Sequence, residues 1–296
     1  MRYRIVHRTT YHYRDTVAFC HNHVHLTPRE QAGQHVLHSE ISVEPARVDA
    51  HRFRDFFGNT VDYFTIQQPH RQLSVTAQHV VEVVAPMPVD SKASPAWESV
   101  AAALRTDCRP QTLAAMQFAL ESPLIKPASQ WREYAIPSFK QEAPLRHAVE
   151  NLTRRIHEDF TFDPHATTVA TPLEQMFRQR RGVCQDFAHL QIACLRSLGL
   201  AGRYVSGYLH TEPAEGRPRL IGADASHAWV QVYCPDTGWF DVDPTNNQAS
   251  SERHVTLAYG RDFDDVSPIK GVVLGGGEHG LTVSVDMIQN ADDRFA

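Results

Sequence analysis

The spacing of apolar residues changes period twice along this chain, and that double change limits the folds open to it. Up to about residue 85 the runs ISVEP, VDYFTI and LSVTAQHVVEVV are short and separated by turn signals such as Phe57-Gly58-Asn59. Runs rich in Val, Ile, Phe, Tyr and Thr fit pleated, half-buried strands, so a small β-sandwich is expected here. Ala85-Pro86-Met87-Pro88 then interrupts the pattern. Residues 95–135 are rich in Ala and Leu with scattered Pro, and Leu145, Val149, Leu152 and Ile156 fall at helical spacing. Thr171-Pro172-Leu173-Glu174 has the residues of a helix start, and that helix is expected to end near Gly182. A second helix is expected from Cys184 to Leu198, with Gly199 as its stop. Strands return in RYVSGYL, HAWVQVY, WFDVD and LTVSVDM. Strands, then helices, then strands predict an α+β fold. The expected units are an N-terminal β domain over 1–88 and a second domain over 89–296 that includes the C-terminal strands. The final strand region has the option of returning to the first domain.

The bulk numbers agree with a globular chain. Of 296 residues, 42% are hydrophobic and 21% charged, enough apolar material for a core. The net charge of −5 gives no electrostatic reason to expect nucleic acid or an anionic membrane. No apolar run reaches the ~20 residues of a membrane helix, and MRYRIVHRTTYHYRD reads as a strand rather than a secretion signal. The expectation is therefore cytoplasmic. Leu274-Gly275-Gly276-Gly277-Glu278 lacks the Gly-Lys-Ser/Thr ending of a phosphate loop; it reads as a hairpin connection. Asp262, Asp264 and Asp265 are too few and too close for a calcium loop and read as a loop salt-bridge group.

The five cysteines are Cys20, Cys108, Cys184, Cys194 and Cys234, with no CxxC pair. That spacing disfavours a disulfide framework or a thiolate zinc site. Cys184 follows Gly182 at the start of the expected helix, where N–H groups and the dipole favour a thiolate. Its own N–H would point toward an oxyanion formed at its target carbon. The same context also suits a buried, inert thiol, the reading that fits Cys194 and Cys234.

A thiol nucleophile needs a base, and the base needs an orienting group. His227 opens the strand Ser226-His227-Ala228-Trp229-Val230-Gln231-Val232-Tyr233. Alternation puts His227, Trp229, Gln231 and Tyr233 on one face. Pro235-Asp236-Thr237-Gly238 turns the chain, and Trp239-Phe240-Asp241-Val242-Asp243 returns as the partner strand. A simple four-residue loop would place Asp243 on the face opposite His227. An odd-length loop or a bulge is therefore predicted. An exposed hairpin with both carboxylates solvated satisfies the same local sequence.

Taken together, Arg181-Gly182-Val183-Cys184-Gln185-Asp186-Phe187-Ala188, Ser226-His227-Ala228-Trp229-Val230 and Gly238-Trp239-Phe240-Asp241-Val242-Asp243-Pro244-Thr245 present Cys, His and Asp in that order. The chain resembles the transglutaminase-like superfamily, and Leu198 to Tyr208 looks like the core of that family. His7 to Tyr13, Leu26-Thr27-Pro28-Arg29, Asp55-Phe56-Phe57-Gly58-Asn59 and Ala258 to Val266 resemble its bacterial branch. The resemblance covers most of the chain and is weakest over residues 90–140. It implies a papain-like core with Cys184 as nucleophile, His227 as general base and acid, and Asp243 rather than Asp241 as the residue orienting His227. It implies a thioester mechanism on a peptide or protein amide, as a cysteine protease or amidase or, with the same triad, a transamidase. No cofactor is implied. The animal enzymes take a second oxyanion donor from an upstream Trp; Phe160 and Phe162 stand there in this chain, and Gln179 is the candidate substitute. Two readings from other classes remain: a metal-binding protein using His21, His23 and His25, and a non-catalytic binding protein that keeps the fold.

Overall fold

The computed structural model describes residues 1–87, 90–211 and 225–290. In chain order, the first region holds β1 (Arg2–Val24), β2 (Gln34–Glu44), β3 (Asp49–Arg54), β4 (Thr60–Ile66) and β5 (His70–Val83). Helices α1 (Trp97–Thr106), α2 (Pro110–Met116), α3 (Ser129–Ala135) and α4 (Leu145–Asp159) follow. Then β6 (Thr161–Phe162), α5 (Leu173–Gln179) and β7 (Arg181–Gly182) lead into α6 (Cys184–Ser197). Strands β8 (Gly202–Leu209), β9 (Ala225–Cys234), β10 (Gly238–Val242), β11 (His254–Gly260), β12 (Ile269–Gly275) and β13 (His279–Gln289) complete the series.

The first sheet is organised by β1, whose two halves have different neighbours. Arg2 to His12 pairs with β5 on one side, and Tyr3 to Tyr13 pairs with β13 on the other. Cys20 to Val24 pairs with β4, and Val17 to Val24 with β12. Because β4 runs into β5 along one edge of β1, and β12 into β13 along the other, each pair acts as one long strand with a break. β2 and β3 line the outer edge of the β5 and β4 side. The expected sandwich is thus a single antiparallel sheet four long strands wide, with breaks near residues 45–48, 67–69 and 276–278 and an irregularity in the pairing of β1 between His12 and Val17.

The glycine run is part of this line of breaks and not the expected hairpin connection. Gly275, Gly276 and Gly277 all have positive φ, and β12 continues into β13 along the same edge. Asp15 N–H donates to Gly276 O at 3.0 Å, and Gly276 N–H donates to Thr16 O at 3.3 Å. A Cβ on Gly275 would meet Thr16 O at 2.6 Å. By hydrogen bonding, the C-terminal strands belong to the first sheet, although chain order placed them with residues 89–296. The expected boundary itself, at residues 88 and 89, lies outside the described residues.

The second sheet has the order β10-β9-β8-β11. Helix α6 packs on it with Phe187, Leu190, Ile192, Cys194 and Leu195 buried, as the broad apolar surface of that segment requires. Leu145, Val149, Leu152 and Ile156 of α4 are buried in the same core. Helix α6 ends one residue before the predicted Leu198, and Gly199 takes φ +77° beyond it. Helix α5 starts after Pro172 and without a Thr171 cap, because the Thr171 hydroxyl instead accepts the Thr168 N–H at 2.9 Å.

The two sheets meet at β8 and β11. Tyr208, Val255 and Leu257 share a core with Ile5, Phe64, Val75 and Met287 of the first sheet. The Asp55–Asn59 turn forms a polar clamp at this junction. The Asn59 amide accepts the Tyr259 N–H at 3.0 Å and donates to Tyr259 O at 2.9 Å. The Tyr259 ring lies between the guanidinium groups of Arg29, at 3.9 Å, and Arg203, at 3.4 Å. Asp264 and Asp265 make the predicted loop ion pairs, with Lys270 and Arg261. Asp262 differs: it is buried and accepts the Leu124 N–H at 2.8 Å. No helix among the described residues is long and apolar enough to cross a membrane.

Candidate active site

Cys184 is the first residue of α6 and is partly buried. Two short parallel strands deliver the chain to it, with Thr161 opposite Arg181 and Phe162 opposite Gly182. Asp186 ties down the helix start by accepting the Val183 N–H at 2.8 Å. Thr167 donates to the same carboxylate oxygen at 2.6 Å. Gly182 is required there: a Cβ would lie 2.6 Å from that oxygen. The Asp186 N–H turns back to Val183 O at 3.0 Å, and the N–H groups of Cys184 and Gln185 are left without intrahelical partners by the geometry of a helix N-terminus. They and the dipole face whatever charge develops beside the thiol.

The predicted irregularity is the length of the β9–β10 connection. Gly238 pairs with Cys234, leaving three residues between the strands, and the register runs through Asp241↔Gln231 to Val242↔Val230. An odd connection keeps both carboxylates on the face of His227 and Trp229. Each then reaches a diagonal neighbour. Trp229 Nε1–H donates to Asp241 Oδ1 at 2.6 Å, and His227 Nε2 lies 2.8 Å from Asp243 Oδ2. Asp243 has left the β10 ladder and pairs instead with Gln248. Neither carboxylate is left to solvent as in an ordinary exposed hairpin: Asp243 is fully buried, and Asp241 is engaged by Trp229.

Donors saturate the Asp243 carboxylate. Asn246 Nδ2 donates to Oδ2 at 2.7 Å, while the N–H groups of Thr245 and Asn246 donate to Oδ1 at 3.0 and 3.2 Å. Burial alone would raise its pKa, but the donors of His227 and Asn246, the attraction of His227 and the nearby His254 imidazole hold it well below the usual carboxylate range. For His227 burial likewise opposes the charged form. The hydrogen bonds to Asp243 and to Cys184, with the attraction of both, outweigh it and push the pKa up to about 10. Since Nε2 is committed to Asp243, Nδ1 is the nitrogen left for the Cys184 sulfur.

The structure therefore brings Cys184, His227 and Asp243 together. It places the other nominated residues elsewhere. Gln179 is exposed at the last turn of α5. Cys194 and Cys234 are buried, Cys20 is buried in the first sheet, and Cys108 is exposed. His21, His23 and His25 are not gathered for a metal. His21 Nδ1 bonds Thr65 Oγ1 at 2.9 Å, and His25 Nδ1 lies 3.1 Å from Ser267 O. Among the described residues, the three His, Cys, Asp or Glu side chains whose ligand atoms lie within 4.8 Å of one another are His227, Asp243 and His254. Two of those atoms, His227 Nε2 and Asp243 Oδ2, are already used on each other.

Two residues of the site escaped the sequence reading. Asn246 had a signal, since it lies just past Asp-Pro-Thr in a turn that side-chain amides favour. His254 had none beyond being one of 18 histidines. It sits on β11, with β8 between it and β9. Gly207 of β8 opens the space, because a Cβ there would meet the Trp229 ring at 2.4 Å and Val255 O at 2.2 Å.

Comparison with known proteins places this geometry in a family. Residues 3–82 match the Bacterial transglutaminase-like N-terminal region, and residues 133–244 match the Transglutaminase-like superfamily. An uncharacterized protein of Mycobacterium tuberculosis is 40% identical over 295 residues, covering 97% of this chain and 92% of its own. A protein of Pseudomonas aeruginosa named protein-glutamine gamma-glutamyltransferase is 30% identical over 155 residues, 46% of this chain and 23% of its own. A solved structure from Cytophaga hutchinsonii, named as a candidate cysteine protease, superposes with a TM-score of 0.77 at 19% identity, covering 100% of this chain and 92% of that one. That last likeness speaks for the fold alone. With both of its regions matched and a full-length relative at 40% identity, the chain belongs to the transglutaminase-like superfamily, whose members are generally cysteine-dependent enzymes.

Proposed function

We propose that this protein is a cysteine-nucleophile enzyme that cleaves amide or isopeptide bonds through a thioester, with water as the usual acceptor. The observation that carries the reading is the buried His227, 2.8 Å from Asp243 and drawn toward its charged form by both Asp243 and Cys184. Cys184 Sγ attacks the carbonyl carbon while its proton resides on His227. The oxyanion forms beside the Cys184 N–H at the positive end of α6. His227 then protonates the departing amine, and the C–N bond breaks to leave a thioester. Water, losing a proton to His227, attacks the thioester; the carboxylic acid leaves and the thiol is restored. Asp243 fixes the imidazole and balances its charge throughout.

A transamidase is the second reading, favoured by the 30% identity to the Pseudomonas aeruginosa protein of that name. It uses the same steps with an amine in place of water. Product analysis separates the two. A glutamine-containing peptide is incubated with and without a primary amine, and ammonia, free acid and amine adduct are quantified. Acid in both mixtures supports hydrolysis; adduct at the expense of acid supports transamidation.

The shared first half is tested by alkylating the protein with limiting iodoacetamide from pH 5 to 9, resolved by peptide mass. Cys184 is expected to react faster than the other four cysteines well below pH 8.5, and His227→Ala to remove the advantage. Equal reactivity of Cys184 and the exposed Cys108 would sink the enzyme reading.

A further inference from the structure

His254 is buried at 4% exposure, and its ring is held on three sides. Trp229 meets it edge to face at 5.2 Å between centroids, and the His227 ring is 6.2 Å away. The Ser251 N–H donates to His254 Nδ1 at 3.1 Å. A nitrogen that accepts a hydrogen bond carries no proton, so the proton of the neutral ring must sit on Nε2. That Nε2 has no hydrogen-bond partner within ordinary distance, and it lies 3.5 Å from Asp243 Oδ2. The atom it approaches is the same oxygen that receives His227 Nε2. A buried N–H with only one acceptor near it is costly to leave unmade, and apo geometry at such sites is commonly long.

We infer that His254 is a positioning residue of the reaction: the Ser251 backbone sets its tautomer, and its Nε2–H acts as a second imidazole donor that keeps Asp243 Oδ2 turned toward His227. The assignment rests on the thiol–imidazole reading of the site. The backbone donors of Thr245 and Asn246 hold Oδ1, and at Oδ2 His254 adds an imidazole donor beside the Asn246 amide. Asn246 Nδ2 shares Oδ2 but is also 3.4 Å from His227 Nε2, and it can follow the imidazole as it moves. His254 cannot, because its other nitrogen is tied to the β11 entrance. The signal is spread over three strands, and no motif within one strand contains it.

The test compares His254→Leu, which fills space without a donor, and His254→Gln, whose amide reaches the Nε2 position with a donor. The rate of Cys184 alkylation is read against the exposed Cys108 as internal reference, with melting temperature measured alongside. His254→Leu is expected to lower the Cys184 rate about five- to tenfold, the worth of one hydrogen bond, and His254→Gln to recover most of it. Equal loss in both variants, tracking a lower melting temperature, would show packing alone and overturn the proposal. So would a His254→Leu protein as reactive as wild type. A second measurement needs no variant. Long-range 1H–15N spectra of the wild-type protein at neutral pH should show His254 with Nδ1 bare and Nε2 protonated; the opposite tautomer overturns the proposal. Failure of the underlying reading looks different, because then wild-type Cys184 has no advantage over Cys108 before any change at His254.

Discussion

His7 and His79 in the first sheet and His227 in the second are all buried, yet they are left in opposite states. In the first sheet, His7 and His79 are 1% and 0% exposed. Their partners are neutral hydroxyls, Tyr208 and Thr9 for His7 and Ser39 for His79. Burial lowers the pKa of His7 to about 4 and that of His79 to about 3. In the second sheet, His227 is 8% exposed, and its pKa is pushed up to about 10. Loss of water cannot be what distinguishes them. A carboxylate 2.8 Å away, itself held anionic by several donors, reverses the sign. The second sheet keeps a charge at the point where a thiol enters, whereas the first excludes charge from an apolar face.

Four substitutions test that contrast. Cys184→Ala removes the group that the charged histidine serves, and amide turnover is expected to fall on the order of a millionfold, measured with whichever peptide the product assay accepts. Asp243→Asn takes from His227 the carboxylate that His7 also lacks and leaves Cys184 as its remaining source of attraction. Turnover is then expected to fall about ten-thousandfold, and an NMR titration should find the His227 pKa far below its wild-type value of about 10. The sign for stability follows. A raised folded pKa contributes fully below pH 6.5, and the contribution is lost as pH rises through about 10. Denaturant melts of Asp243→Asn should lack that alkaline decline. The enzyme reading loses its electrostatic basis if the Asp243→Asn change leaves both activity and titration as they are in the wild type.

The acid side tests the first sheet. His7 and His79 have depressed folded pKa values, so unfolding takes up protons and stability falls as pH drops below 6.5 toward 4 and 3. Together they are expected to cost on the order of 5 kcal/mol by pH 4.5. His79→Leu should flatten the acid limb of a urea-melt series, and an unchanged limb would reject the account. The smallest effect is assigned to Asp241→Asn. An amide oxygen still accepts Trp229 Nε1–H, so Cys184 alkylation is expected to change less than about threefold and the melting temperature only slightly. A loss as large as that of Asp243→Asn would mean that the two carboxylates share one role.

What could be read from the sequence was what local spacing controls. The Gly182–Cys184 helix start, the alternation around His227 and Trp229, and the need for an odd connection before Asp243 all follow from a few neighbouring residues. The order of the first sheet did not follow. β12 and β13 read as strands, yet nothing near residues 269–289 says that their partner is β1. Leu274 to Glu278 looks like a hairpin because glycines with positive φ serve tight turns and in-line breaks equally well. His254 was hidden for a related reason, since its contact crosses a whole strand through the gap left by Gly207.

The central place of β1 also sets an order of events during synthesis. β4 and β5 follow it closely in the chain and can cover one of its edges soon after it leaves the ribosome. The other edge waits for β12 and β13, which emerge more than two hundred residues later. At ~5–20 residues per second that is a delay of roughly ten seconds to a minute, during which a long strand edge stands open to wrong partners. The first sheet therefore closes only after the helices and the second sheet that lie between its strands in the chain have been made.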